Sequence, residues 1–93
     1  MGKFIIELTD TAIEHLRLHK KSGNKAAIKK IDAIFLDLEN HPFEGVGHPE
    51  PLKYELEGYW SRKINQKDRI IYSVEQEKVI VEVVSAIGHY SDK

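Results

Sequence analysis

Hydrophobic positions follow two different periods on either side of a proline-rich centre. Phe4-Ile5-Ile6-Glu7-Leu8 is a short apolar run rich in β-branched side chains and predicts a strand. Thr9, Asp10 and Thr11 are all good N-caps, and Thr11 with Glu14 matches a capping box. A first helix is predicted over 11–21, with Ile13 and Leu16 on its buried stripe; Ser22-Gly23-Asn24 ends it and caps the next. Ala27, Ile28, Ile31, Ile34, Phe35 and Leu38 then recur at three- and four-residue steps, which puts them on one face of a second helix. Lys25, Lys29, Lys30, Asp32, Asp37 and Glu39 cover the other face, and Asn40 with the approach to Pro42 stops the helix. Two helices joined by so short a turn predict an antiparallel hairpin.

Beyond the centre the pattern turns to strands, predicted over 52–56, 59–65, 69–75 and 78–87 and separated by Glu57-Gly58, Gln66-Lys67-Asp68 and Gln76-Glu77. Connections this short make consecutive strands antiparallel neighbours. The expected fold is α+β: an N-terminal strand and a helical hairpin packed on a mainly antiparallel meander sheet, the hairpin covering one face. The pattern does not say where the N-terminal strand enters the sheet. No repeat, linker or low-complexity segment interrupts residues 1–93, which are read as a single domain.

Residues 41–53 link the two regimes and hold all three prolines. Glu50 sits between Pro49 and Pro51. The second proline pushes it towards extended backbone, and the first has its own φ fixed near about −65°. A carboxylate on so stiff a mount has the aim that a general base needs. A rigid turn carrying a solvated charge is the competing reading of the tripeptide.

The chain is 31% charged with a net charge of −1, so any nucleic-acid binding rests on a local cluster rather than on a global basic field. One cluster stands out. Lys53, Arg62, Lys63, Lys67 and Arg69 are interleaved with Tyr54, Tyr59, Trp60 and Tyr72, a mixture that suits phosphates and unstacked bases. Exposed sheet faces often carry such cations without a ligand. Absence of cysteine excludes a disulfide framework and fits a reducing cytoplasm. No apolar run approaches the roughly 20 residues of a membrane span, and no signal peptide is evident. His15 and His19, four apart on the first helix, have metal-ligand spacing but no third ligand. Gly88 is expected to release the last strand, with His89 and Tyr90 just after it, and histidine is the side chain whose unperturbed pKa lies nearest neutrality.

The run Pro42-Phe43-Glu44-Gly45-Val46-Gly47-His48-Pro49-Glu50-Pro51-Leu52-Lys53, followed by Gly58-Tyr59-Trp60-Ser61-Arg62-Lys63-Ile64, Arg69-Ile70-Ile71-Tyr72 and Gly88-His89-Tyr90, resembles the YoeB/Txe toxins of the RelE/ParE superfamily. The resemblance implies a RelE/ParE-like fold and a cytoplasmic, ribosome-dependent endoribonuclease that cleaves mRNA in the A site without a metal or cofactor. It places the catalytic glutamate on Glu50, the arginine on Arg69, and the histidine and tyrosine on His89 and Tyr90. Its RNA-contacting positions fall on Lys53, Arg62 and Lys63, with Trp60 beside them; Lys63 stands where an arginine is common. Expected partners are a YefM/Axe-like antitoxin, with which it would repress its operon, and the 70S ribosome with its mRNA. Monomer and homodimer remain open. The alternative within the superfamily is a non-catalytic inhibitor of another target, such as a topoisomerase.

Overall fold

Short connections decide most of the topology. The computed structural model describes residues 4–88. In chain order the elements are β1 (Ile5–Leu8), α1 (Asp10–Ser22), α2 (Lys25–Asn40), β2 (Glu50–Pro51), a 3-10 turn (Tyr54–Leu56), β3 (Trp60–Lys63), β4 (Arg69–Glu75) and β5 (Ile80–Ser85). Strands β2 to β5 pair antiparallel in sequence order, as the short connections require. The point the pattern left open is settled by β1, which pairs parallel to β5 and makes the sheet order β1-β5-β4-β3-β2. A parallel pair needs a long crossover, and here the helices and the meander together supply it. The α+β class is as expected, with a mixed five-stranded sheet.

Helix α1 is capped two residues earlier than the capping-box reading implies. Thr9 is the N-cap: its side chain accepts from the Ala12 N–H, and Gly23 closes the helix in the left-handed region at φ 73°. The buried stripe also differs from the expected one. Ala12 and His19 are buried, whereas Ile13 is 50% exposed, contrary to the expected stripe. Helix α2 follows its pattern, with Ala27, Ile31, Ile34 and Leu38 buried. These residues meet Ile64, Ile70, Tyr72, Val81, Val83 and Ala86 in one core.

The expected strand over 52–56 is not formed. Pairing is confined to Glu50 and Pro51, after which Tyr54 takes φ 59° and the chain winds into the 3-10 turn. Leu52 still closes the hairpin, its N–H donating to Tyr59 O at 2.9 Å, and its side chain is buried. The last strand is shorter than 78–87 because the turn before it runs to Val79, at φ 57°. Strand alternation sorts the meander into two faces. Arg62, Ile64, Ile70, Tyr72, Val81 and Val83 point to the helices; Ser61, Lys63 and Arg69 lie at the alternate positions, on the face without helices. Among the described residues, no helix is long and apolar enough to cross a membrane.

Candidate functional site

A buried arginine shapes the loop that carries Glu50. Arg62 is 0% exposed, and its guanidinium finds five acceptors. Nη1 donates to Asp37 Oδ2 at 2.7 Å and to Val46 O at 3.1 Å. Nη2 donates to His41 O at 2.5 Å and Glu44 O at 3.1 Å, and Nε to the Tyr72 hydroxyl at 3.1 Å. That hydroxyl in turn donates to Pro42 O at 2.8 Å. The five N–H donors of a guanidinium are thereby all used. Three loop carbonyls converge on one side chain, so the path of residues 41–46 is set from beneath.

Two glycines let the loop come this close. Gly45 has φ 119°, and a Cβ there would lie 1.7 Å from Asp37 Oδ2. Gly47 accepts from the Lys63 N–H at 2.7 Å, tying the loop to β3. The Phe43 ring sits 5.1 Å from that of Trp60, tilted by 57°. Burial alone would push the Asp37 carboxyl up, but the Arg62 guanidinium, the Val46 N–H and the charge of His41 hold it below its ordinary value of 3.8. Burial pushes the Tyr72 phenol up from 10.0, against the opposing pull of Arg62.

So anchored, the chain enters β2 with Glu50 opposite Ser61 and Pro51 opposite Trp60. Glu50 Oε1 then lies 3.4 Å from Arg69 Nη1, which also donates to Ser61 Oγ at 3.2 Å. The Glu50 side chain is 59% exposed and that of Arg69 28%. An ion pair this exposed contributes only about 0–1 kcal/mol. The guanidinium can therefore leave the carboxylate for a phosphate at little cost. A base and a fixed cation within one hydrogen-bond length of each other suit proton abstraction beside a developing oxyanion.

Among the residues singled out in the sequence, Glu50 and Arg69 are brought together. Lys53 and Lys63 are exposed, and Trp60 is half-buried against the core. Arg62 is the correction: it was expected to reach RNA, but it lies on the helix-covered face with every N–H engaged. His89 and Tyr90 lie outside the described residues. The residue before them, Gly88, accepts from the Arg69 N–H at 2.9 Å and donates to Asp68 Oδ1 at 2.8 Å. Sequence reasoning passed over Ser61 and Asp37. Ser61 carried a signal in the strand period, since it shares a face with Lys63. His15 and His19 are not turned to solvent as an open metal pair; both contact the Ala86 backbone.

The family described as YoeB-like toxin of bacterial type II toxin–antitoxin system matches residues 8–90. The protein named Toxin YoeB from Escherichia coli O6:H1 is 41% identical over 64 residues, 69% of this chain and 76% of its own. Among solved structures, the YoeB/ParE toxin from Agrobacterium tumefaciens superposes with TM-score 0.85 at 29% identity, covering 94% of this chain and 100% of that one. The YoeB–YefM complex from Staphylococcus aureus gives TM-score 0.77 at 31% identity, covering 95% and 99%.

Proposed function

The chain belongs to the YoeB-like toxins of bacterial type II toxin–antitoxin systems, and from that premise we propose that it is a ribosome-dependent endoribonuclease acting on mRNA in the A site. The observation that carries the reading is the pair formed by Glu50 Oε1 and Arg69 Nη1, 3.4 Å apart on the helix-free face of the sheet. In the proposed reaction Glu50 takes the proton of a ribose 2′-hydroxyl. The 2′-oxygen attacks the adjacent phosphorus, and Arg69, steadied by Ser61, stabilises the charge of the pentavalent phosphorane. The bond from phosphorus to the 5′-oxygen then breaks. His89 gives that oxygen a proton, leaving a cyclic phosphate and a 5′-hydroxyl. Acid and base both come from side chains, so no step calls for a metal or cofactor. Tyr90 is proposed to assist that proton transfer or to stack on a base, and Lys53 and Lys63 to contact the flanking RNA; Trp60, expected beside them, packs against Phe43 on the helix-covered face instead.

Its antitoxin is proposed to be of the YefM kind, by analogy with the Staphylococcus aureus complex. The place of action is the cytoplasm, where ribosomes translate, and the complex with antitoxin would repress the shared operon. The test is incubation with programmed ribosomes and mapping of mRNA ends. Cuts at the A-site codon by the wild type, lost in Glu50→Gln, are expected. Growth arrest without any cut would favour a non-catalytic inhibitor.

A further inference from the structure

His15 and His19 stand one turn apart on α1, and both are spent on a single residue of the chain's other end. Nδ1 of His15 accepts from the Ala86 N–H at 3.0 Å, which requires that nitrogen to be unprotonated. Nε2 of His19 lies 2.8 Å from Ala86 O and must carry the hydrogen to donate to it. In an extended chain the N–H and C=O of one residue point to the same side. Side chains four apart on a helix stack on one face. Two imidazoles at that spacing can therefore take both polar groups of Ala86. The residue is fully buried, at 0% exposure, and lies past the last pairing of β1 with β5, Leu8 opposite Val83. With no strand beside it on the β1 side, α1 supplies the partners that a sheet would have given.

Two residues further on, Gly88 is held by Asp68 and by the backbone of Arg69. The chain is thus fastened twice immediately before His89, and one of the fasteners is the residue whose guanidinium faces Glu50. We propose that His15 and His19 are positioning residues for the acid end of the site: by fixing Ala86 they set the point from which His89 and Tyr90 depart. This rests on the nuclease reading above. It gives the helical histidines a role in the reaction that their metal-like spacing does not suggest.

Isosteric replacements separate positioning from bulk. His15→Asn keeps an acceptor near the place of Nδ1, and His19→Gln keeps a donor near Nε2; His15→Leu and His19→Leu keep neither. Misplacing a reacting group by about 1 Å can cost on the order of 100-fold in rate. The measurement is kcat and KM for cleavage on programmed ribosomes, with thermal melting to show that each variant is folded. The leucine variants are expected to lose roughly 10- to 100-fold in kcat while KM stays near the wild-type value, and the Asn and Gln variants to recover most of the loss. Folded leucine variants with wild-type kcat would overturn the inference, as would Asn and Gln variants no better than leucine. If the leucine variants do not fold, His15→Gln, which carries its acceptor one bond further out, takes their place against His15→Asn. A wild type that makes no cut would instead overturn the nuclease reading, and the positioning role with it.

Discussion

Asp37 on α2 and Arg62 on β3 are joined at 2.7 Å, and this pair is the floor of the loop that delivers Glu50. The Arg62 side chain is fully buried and that of Asp37 is 18% exposed. Removing one partner of a buried pair leaves the other charge uncompensated, which costs about 3–5 kcal/mol. A domain of this size has only about 5–15 kcal/mol in total.

Arg62→Met is therefore expected to melt far below the wild type, or not to fold. Arg62→Lys should fall between the two, because an ammonium cannot serve Asp37, Tyr72 and three carbonyls at once. Thermal melting decides it. An Arg62→Met protein that melts within a few degrees of wild type would mean that the loop holds its shape without the guanidinium.

Acid should weaken the same junction. The Asp37 carboxyl is held below 3.8 in the folded chain, so on acidification the unfolded chain takes up its proton first. The contribution is fully present above the unfolded value and is lost as pH falls through the folded one. Asp37→Asn lacks this titration. The gap in urea midpoint between wild type and Asp37→Asn should be widest near neutrality and narrow as pH drops below about 4. A gap independent of pH would show that the ionised carboxylate adds nothing to stability.

Gly45 and Gly58 make a matched comparison. Both have positive φ, 119° and 95°, but a Cβ at Gly45 would meet Asp37 Oδ2 at 1.7 Å, whereas at Gly58 nothing lies within 4 Å. Gly58→Ala should cost only backbone strain, of order 1–3 kcal/mol. Gly45→Ala should cost more, because it also displaces the carboxylate from Arg62. Equal melting temperatures for the two variants would show that the loop relaxes away from Asp37 freely.

Helix α2 and the antiparallel meander were legible because local period and connection length determine them. The parallel place of β1 was not, since no short connection ties it to β5. The fate of Arg62 was legible in principle. Trp60, Arg62 and Ile64 alternate along one strand, so the face that buries the isoleucine also takes the arginine. Reading Arg62 and Lys63 as one basic patch ignored that adjacent strand residues face opposite ways. Burial of an arginine is rare enough to override the inference unless a partner is seen, and its partners Asp37 and the loop carbonyls are remote in sequence. Glu50 was singled out by its flanking prolines, and Arg69 by the family resemblance. Their meeting depends on the Glu50–Ser61 register, which is set by tertiary pairing.

The last prediction concerns how Ser61 and Arg69 act together. Arg69 Nη1 is shared between Glu50 Oε1 at 3.4 Å and Ser61 Oγ at 3.2 Å. Ser61 is 0% exposed, so its hydroxyl is a fixed point, while the Glu50 side chain is open to solvent. In the proposed nuclease reaction, the serine still holds the guanidinium in place when substrate displaces the carboxylate. Glu50→Gln should lose about 10²- to 10⁴-fold in rate as the base disappears. Arg69→Gln should lose about 10²- to 10³-fold, the usual effect of removing one oxyanion donor. Ser61→Ala should lose less, roughly 10-fold, because the arginine remains but is less well aimed. If aiming is all that Ser61 does, the double variant Ser61→Ala/Arg69→Gln should be no slower than Arg69→Gln alone. Single-turnover cleavage on programmed ribosomes gives all four rates. Losses that multiply in the double variant would mean that Ser61 touches the substrate in its own right.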